Sequence, residues 1–165
     1  MFFRSVLDAL LAPPDGRFLR RMGVSSAVSL GSSMALVGTA VGLLALAGID
    51  IDDLEAPAFG TGIGDFVILV LLAPIIETLL LIVLLALMPS RWSIVTRATL
   101  SALVWGCLHA LTAPFWFLGV VVPFFVFSCG YLVWRRESFG LGFAAAALPH
   151  TLQNLAAFLM IVLAG

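Results

Sequence analysis

The chain has 165 residues, of which 62% are apolar and 10% charged, with a mean hydropathy of +1.20. Water-soluble globular domains are about 45–50% apolar and about 25% charged, so composition excludes both a soluble enzyme and a disordered chain. Eight basic against nine acidic side chains exclude a basic nucleic-acid-binding face, and what remains is an all-α, polytopic membrane protein.

The first dozen residues space Phe2, Phe3, Val6, Leu7, Leu10 and Leu11 helically around Arg4 and Asp8. That is the pattern of an interfacial helix or of an ordinary cytoplasmic anchor. Residues 1–22 are read as this N-terminal segment and 23–165 as the transmembrane domain. Five apolar segments follow, roughly 23–48, 63–88, 94–113, 115–134 and 139–164. Each has about 20 residues or more, enough to cross a hydrocarbon core of ~30 Å. The first is too long for a signal-peptide h-region and is expected to be a permanent span. Its Ser25, Ser29 and Ser33, with Gly38 and Gly42, suit close helix packing. Between the third and fourth segments, Leu111-Thr112-Ala113-Pro114 reads as a tight hairpin turn. Cys107 and Cys129 lie in apolar runs without CxxC spacing and imply no disulfide framework.

All the basic residues are arginine. Arg4, Arg17, Arg20 and Arg21 precede the first span, Arg91 and Arg97 fall between the second and third, and Arg135 and Arg136 between the fourth and fifth. A five-span threading puts all of them on one side. The acidic run Asp50-Ile51-Asp52-Asp53-Leu54-Glu55 and Asp65 fall on the other. The positive-inside rule then predicts a cytoplasmic N-terminus.

Ionisable side chains within spans are costly and face a cavity or a partner. Away from span ends three remain: Glu77, His109 and His150, with Asn154 one turn after His150 on the same face. Glu77 lies 11 residues from Met88, His109 12 beyond Arg97, and His150 13 beyond Glu137. At 1.5 Å per residue all three stand roughly 16–20 Å from the cytoplasmic boundary, so they can meet in one layer. Pro74 and Pro149, close to Glu77 and His150, each remove an intrahelical hydrogen bond and kink their helices. Freed carbonyls in a membrane persist only against protein or water. Taken singly, His109 reads as an interfacial residue, Glu77 as a neutral hydrogen-bonding group, and His150 with Asn154 as an interhelical clasp. Taken together at one depth, they read as a site.

No Ser-His-Asp set and no His-Glu-x-x-His helix is present. A carboxylate with two imidazoles and an amide suits water activation, Glu77 taking the proton and N–H groups stabilising an oxyanion. Glu77, His109 and His150 are equally an acceptable ligand set for a divalent metal such as zinc.

The stretches Ala73-Pro74-Ile75-Ile76-Glu77-Thr78, Trp105-Gly106-Cys107-Leu108-His109 and His150-Thr151-Leu152-Gln153-Asn154 resemble the CPBP (CAAX protease and bacteriocin-processing, Abi) family of intramembrane endopeptidases. The resemblance covers spans 2–5, about residues 63–165, a four-helix core. The family pattern is Glu-Glu-x-x-x-Arg, an aromatic residue four before a His, and His-x-x-x-Asn. The resemblance implies that Glu77 is the water-activating base, that His109, His150 and Asn154 assist water and oxyanion, and that Trp105 fills the aromatic position. Thr78 and Ile82 stand where the family has its second Glu and its Arg.

The expected function is therefore endoproteolysis of a membrane-proximal or membrane-inserted protein or peptide tail, in a bacterial inner membrane, with lipid as the surrounding partner and no nucleic acid. Prenylated tails, bacteriocin leaders and C-terminal sorting tails fit equally, and the oligomeric state is left open. Two rival readings stand beside it. One is an inactive relative acting as a membrane scaffold, motivated by Thr78 and Ile82. The other is a small transporter or proton-relay subunit, which the lack of an inverted repeat disfavours.

Overall fold

The computed structural model describes residues 2–49 and 59–164. The acidic run 50–55, used above for orientation, lies outside the described residues. The elements are helices α1 (Phe2–Leu11), α2 (Phe18–Leu46), α3 (Ile63–Phe66), a π-helical segment (Val67–Leu72), and α4 (Ala73–Leu87), continued by α5 (Ile94–Ala110), α6 (Trp116–Trp134) and α7 (Phe139–Ala164). No strand occurs among the described residues. Phe18–Leu46, Ile63–Leu87, Trp116–Trp134 and Phe139–Leu163 are long and apolar enough to cross a membrane. The chain is a polytopic helical membrane bundle.

The third predicted span differs. Helix α5 has 17 residues and stops at Ala110 rather than at 113, giving a length of about 25 Å. The backbone N–H groups of Leu111, Thr112 and Ala113 fold back onto carbonyls of Cys107–His109, and Pro114 has no N–H with which to continue the helix. His109 therefore sits in the last turn of α5.

Helix α6 is the centre of the bundle. Residues Val126–Trp134 are buried on every side, the signature of a helix surrounded by others, and α1, α2, α5 and α7 pack on it. Phe124, Phe127, Tyr131 and Leu132 form the core with Leu81 and Leu85 of α4, Ala102 and Trp105 of α5, and Ala146 of α7. Ring pairs such as Trp105 on Phe124, stacked at 4.7 Å, knit it together.

Helix α2 is inside-out relative to a soluble helix. Its buried face is Met22, Ser25, Ser26, Ser29 and Ser33, while Leu36, Leu43 and Leu46 are exposed. Lipid removes the hydrophobic drive between helices, so contacts select small and hydrogen-bonding residues. Ser29 donates to Gln153 Oε1 (2.9 Å) and Ser33 to the carbonyl of Gly119 (2.6 Å).

Three prolines organise the backbone. The π-segment is closed by the amide of Ala73 bonding the carbonyl of Ile68. The next donor in that register would be residue 74, a proline, which leaves Leu69 O without an intrahelical partner. Pro123 likewise frees Gly119 O, the acceptor for Ser33. Pro149 frees Ala145 O, against which α6 closes at Gly130. A Cβ at Gly130 would lie 2.7 Å from that oxygen, so only glycine permits the approach.

Candidate functional site

Glu77 sits on the bundle-facing stripe of α4 with Pro74, Thr78, Leu81, Ile82 and Leu85, a spacing of three and four residues that turns one face inward. His109 projects from the last turn of α5 and His150 from the middle of α7, directly after Pro149. The Nε2 atoms of both histidines approach one atom: His150 at 3.5 Å and His109 at 3.8 Å from Glu77 Oε2. Three side chains from three helices, separated by 32 and 41 positions in sequence, thus converge as their common depth predicts.

The environments of the two imidazoles differ. His109 Nδ1 lies 2.9 Å from Trp105 O. A carbonyl only accepts, so Nδ1 carries the hydrogen, and in the neutral ring Nε2 presents a lone pair towards Glu77. The His109 side chain is 19% exposed and that of Glu77 23%, whereas that of His150 is 4% exposed. His150 is held by rings: it stacks on Phe127 (4.7 Å, 20°) and meets the edge of Phe124 (5.2 Å). Its Nδ1 is buried without a hydrogen-bond partner among the described residues, as is Glu77 Oε2.

Asn154 faces the same helix pair but is engaged differently. Its Nδ2 donates to Leu69 O (2.8 Å), the carbonyl freed by Pro74. It ties α7 to the π-segment about two turns before Glu77, and its side chain is not directed at Glu77 through any hydrogen bond. Trp105 is buried, stacks on Phe124 and lies 6.0 Å from the His109 ring, with its Nε1 lacking a hydrogen-bond partner among the described residues. Thr78 and Ile82 are both buried, at 1% and 9% exposure. The positions where a Glu–Arg pair was expected from the resemblance are thus filled by neutral side chains. Replacing both members of a buried pair strands no charge.

Phe124 and Phe127 were not singled out by sequence reasoning. Phe124 touches Trp105, His109, His150 and Phe127 through its ring. It is the common wall of the site, and nothing distinguishes it in sequence from the other phenylalanines of α6 apart from its place after Pro123.

Two imidazole nitrogens and a carboxylate oxygen suit zinc in kind, and the two nitrogen-to-oxygen separations, 3.5 and 3.8 Å, lie near the edge of about 3.4 Å in a zinc tetrahedron. As they stand, no three His, Cys, Asp or Glu side chains among the described residues close into a metal-holding group.

The chain matches no family model, no curated protein and no solved structure. The site therefore rests on its own geometry.

Proposed function

We propose that this chain is an intramembrane endopeptidase of the CPBP type, cutting a peptide bond in a membrane-proximal or membrane-inserted tail. In this reading all five apolar helices cross a bacterial inner membrane with the N-terminus cytoplasmic. Helix α5, at 17 residues, lies at the lower limit for a span of about 17–25, and the distribution of arginines favours this threading. The observation that carries the proposal is the approach of both histidine Nε2 atoms to Glu77 Oε2.

Two acceptors facing one another, the lone pair of His109 Nε2 and the Glu77 carboxylate, are reconciled by a molecule that donates to both, and water does so. Glu77 takes the proton as the water oxygen attacks the scissile carbonyl carbon, and the resulting oxyanion is stabilised by N–H donors. The C–N bond then breaks, and the proton held on Glu77 passes to the departing amine. His109 is the imidazole with access to water, and buried His150 sets the back of the site. Asn154 acts by holding Leu69 O, the carbonyl that Pro74 leaves open, and with it the backbone that leads into Glu77. Glu77, His109 and His150 are also the residues that would hold a divalent metal, whose contribution when bound is to polarise a carbonyl or lower the pKa of a bound water. Elemental analysis of the protein purified without chelator checks that part: about one zinc per chain supports it, and none speaks for the glutamate mechanism.

The test is terminus-enriched mass spectrometry of membranes carrying the wild-type chain or Glu77→Gln. Protein termini present only with wild type are the expected result and name the substrate. Identical termini with equal amounts of folded protein overturn the proposal. The second reading, an inactive scaffold, draws on the buried neutral Thr78 and Ile82. It expects Glu77→Gln to leave both the termini and the cellular phenotype unchanged.

A further inference from the structure

Outside the Glu77 cluster, helix α1 is followed by a tight elbow before α2, Gly16 turning the chain with a φ of +75°. The elbow is locked by Arg21. Its guanidinium donates to Ala9 O, Ala12 O and Pro13 O at the end of α1 and lies over the Trp134 ring at 5.5 Å. Beside it is a cavity of about 210 Å³ lined by Leu10, Asp15, Arg17, Arg20, Arg21 and Trp134 among others. Three arginines against one aspartate make it cationic. The Arg17 and Arg20 side chains are exposed and make no hydrogen bond or ion pair to any described residue. Arg17 is the N-cap of α2, and no side chain caps that helix end.

Leu10 also lines a second cavity, of about 270 Å³, on the other side of α1. Its walls are apolar save Thr99: Val6 and Leu7 of α1, Leu103 of α5, Val122 and Phe125 of α6. A cationic cup and an apolar groove thus adjoin across one residue, at the base of a membrane bundle. From this juxtaposition we propose that the α1–α2 elbow is a binding site for an anionic glycerophospholipid, its phosphate among Arg17 and Arg20 and an acyl chain in the groove lined by Val6, Leu7 and Leu103. Charge complementarity selects the headgroup, and the apolar groove selects a lipid over a soluble phosphate. The site shares no residue with the Glu77 cluster and does not depend on the endopeptidase reading.

Native mass spectrometry of the purified full chain in detergent tests it, with dioleoyl phosphatidylglycerol, dioleoyl phosphatidylcholine or glycerol 3-phosphate added. The expected result is retained phosphatidylglycerol, on the order of tenfold less phosphatidylcholine, and no glycerol phosphate. Arg17→Gln with Arg20→Gln is expected to lower phosphatidylglycerol retention on the order of tenfold. Leu103→Trp, which fills the groove from a lipid-exposed position, lowers it as well. Arg4→Gln, on α1 but outside both cavities, keeps full retention and unchanged helical circular dichroism. Equal retention of the two lipids, glycerol phosphate bound as readily as lipid, undiminished binding by the double variant, or an equal loss in Arg4→Gln would each overturn the proposal.

Discussion

Two carbonyls, Leu69 O and Gly119 O, pose the same problem and receive the same answer in different parts of the molecule. Each is freed by a proline, Pro74 or Pro123, and each accepts a hydrogen bond from a side chain of another helix: Asn154 Nδ2 at 2.8 Å, Ser33 Oγ at 2.6 Å. Ser33 fastens the outer helix α2 to the central α6. Asn154 fastens α7 to the turn that leads into Glu77. A polar residue within a membrane span is thus no proof of chemistry, because the same bond is structural at one proline and adjoins the candidate site at the other. What distinguishes the two regions is their neighbours: of the two prolines, only Pro74 lies within a turn of a carboxylate that two imidazoles approach.

The largest expected effect separates the regions outright. Glu77→Gln should lower cleavage of a substrate tail by about 10²–10⁴-fold while leaving the melting temperature in detergent within a degree or two of wild type. A loss of folding alongside activity would instead make Glu77 a packing group. Next in size is Thr78→Glu, which introduces a carboxyl group at a position 1% exposed. If ionised, an unpartnered buried charge costs about 3–5 kcal/mol, and adding Ile82→Arg should recover most of it. Chemical denaturation of the single and double variants reads this directly, and a double variant no better than the single would deny that these positions pair.

Gly130→Ala probes the third proline, Pro149, through the carbonyl it leaves open, Ala145 O. Its Cβ would stand 2.7 Å from Ala145 O, and the shift needed should cost about 1–3 kcal/mol. A neutral effect on unfolding would show that α6 and α7 can part without penalty there. The smallest effect on stability, and the sharpest on the comparison, comes from Ser33→Ala beside Asn154→Ala. Each removes one interhelical bond of about 0.6 kcal/mol in a membrane. Ser33→Ala should leave cleavage unchanged, whereas Asn154→Ala should slow it by about 10²-fold through misplacement of Glu77. Equal effects on cleavage would put the two carbonyls in one structural class.

Much of the site was legible in the chain because the rise of a helix is constant: positions 11 to 13 residues from the arginine-rich side had to share a depth, and Glu77, His109 and His150 do meet. Asn154 was legible as a polar residue on the right face, but its partner was not. Leu69 O becomes available only because the backbone runs in π register before Pro74, and an apolar run Val67–Leu72 carries no sign of that register. The serine stripe of α2 announced close packing, though not that Ser29 would find Gln153 across 124 positions. The end of α5 was legible too: Leu111-Thr112-Ala113-Pro114 reads as a turn, and the helix stops at Ala110 where that turn begins, although the apolar pattern runs on to 113.

By itself the sequence determined that this is a helical membrane protein, where its apolar segments lie, and that Glu77, His109 and His150 stand within them. Those follow from transfer free energy and helix rise, both of which are properties of a single segment. Which of those groups touch, which polar side chains are tied up with carbonyls that prolines leave open, and which face a common space depend on how the helices are rotated and set against one another. In a membrane that rotation is decided by close contacts such as Gly130 on Ala145 and rings such as Phe124. Lipid matches the apolar faces everywhere, so only packing and interhelical hydrogen bonds discriminate between orientations.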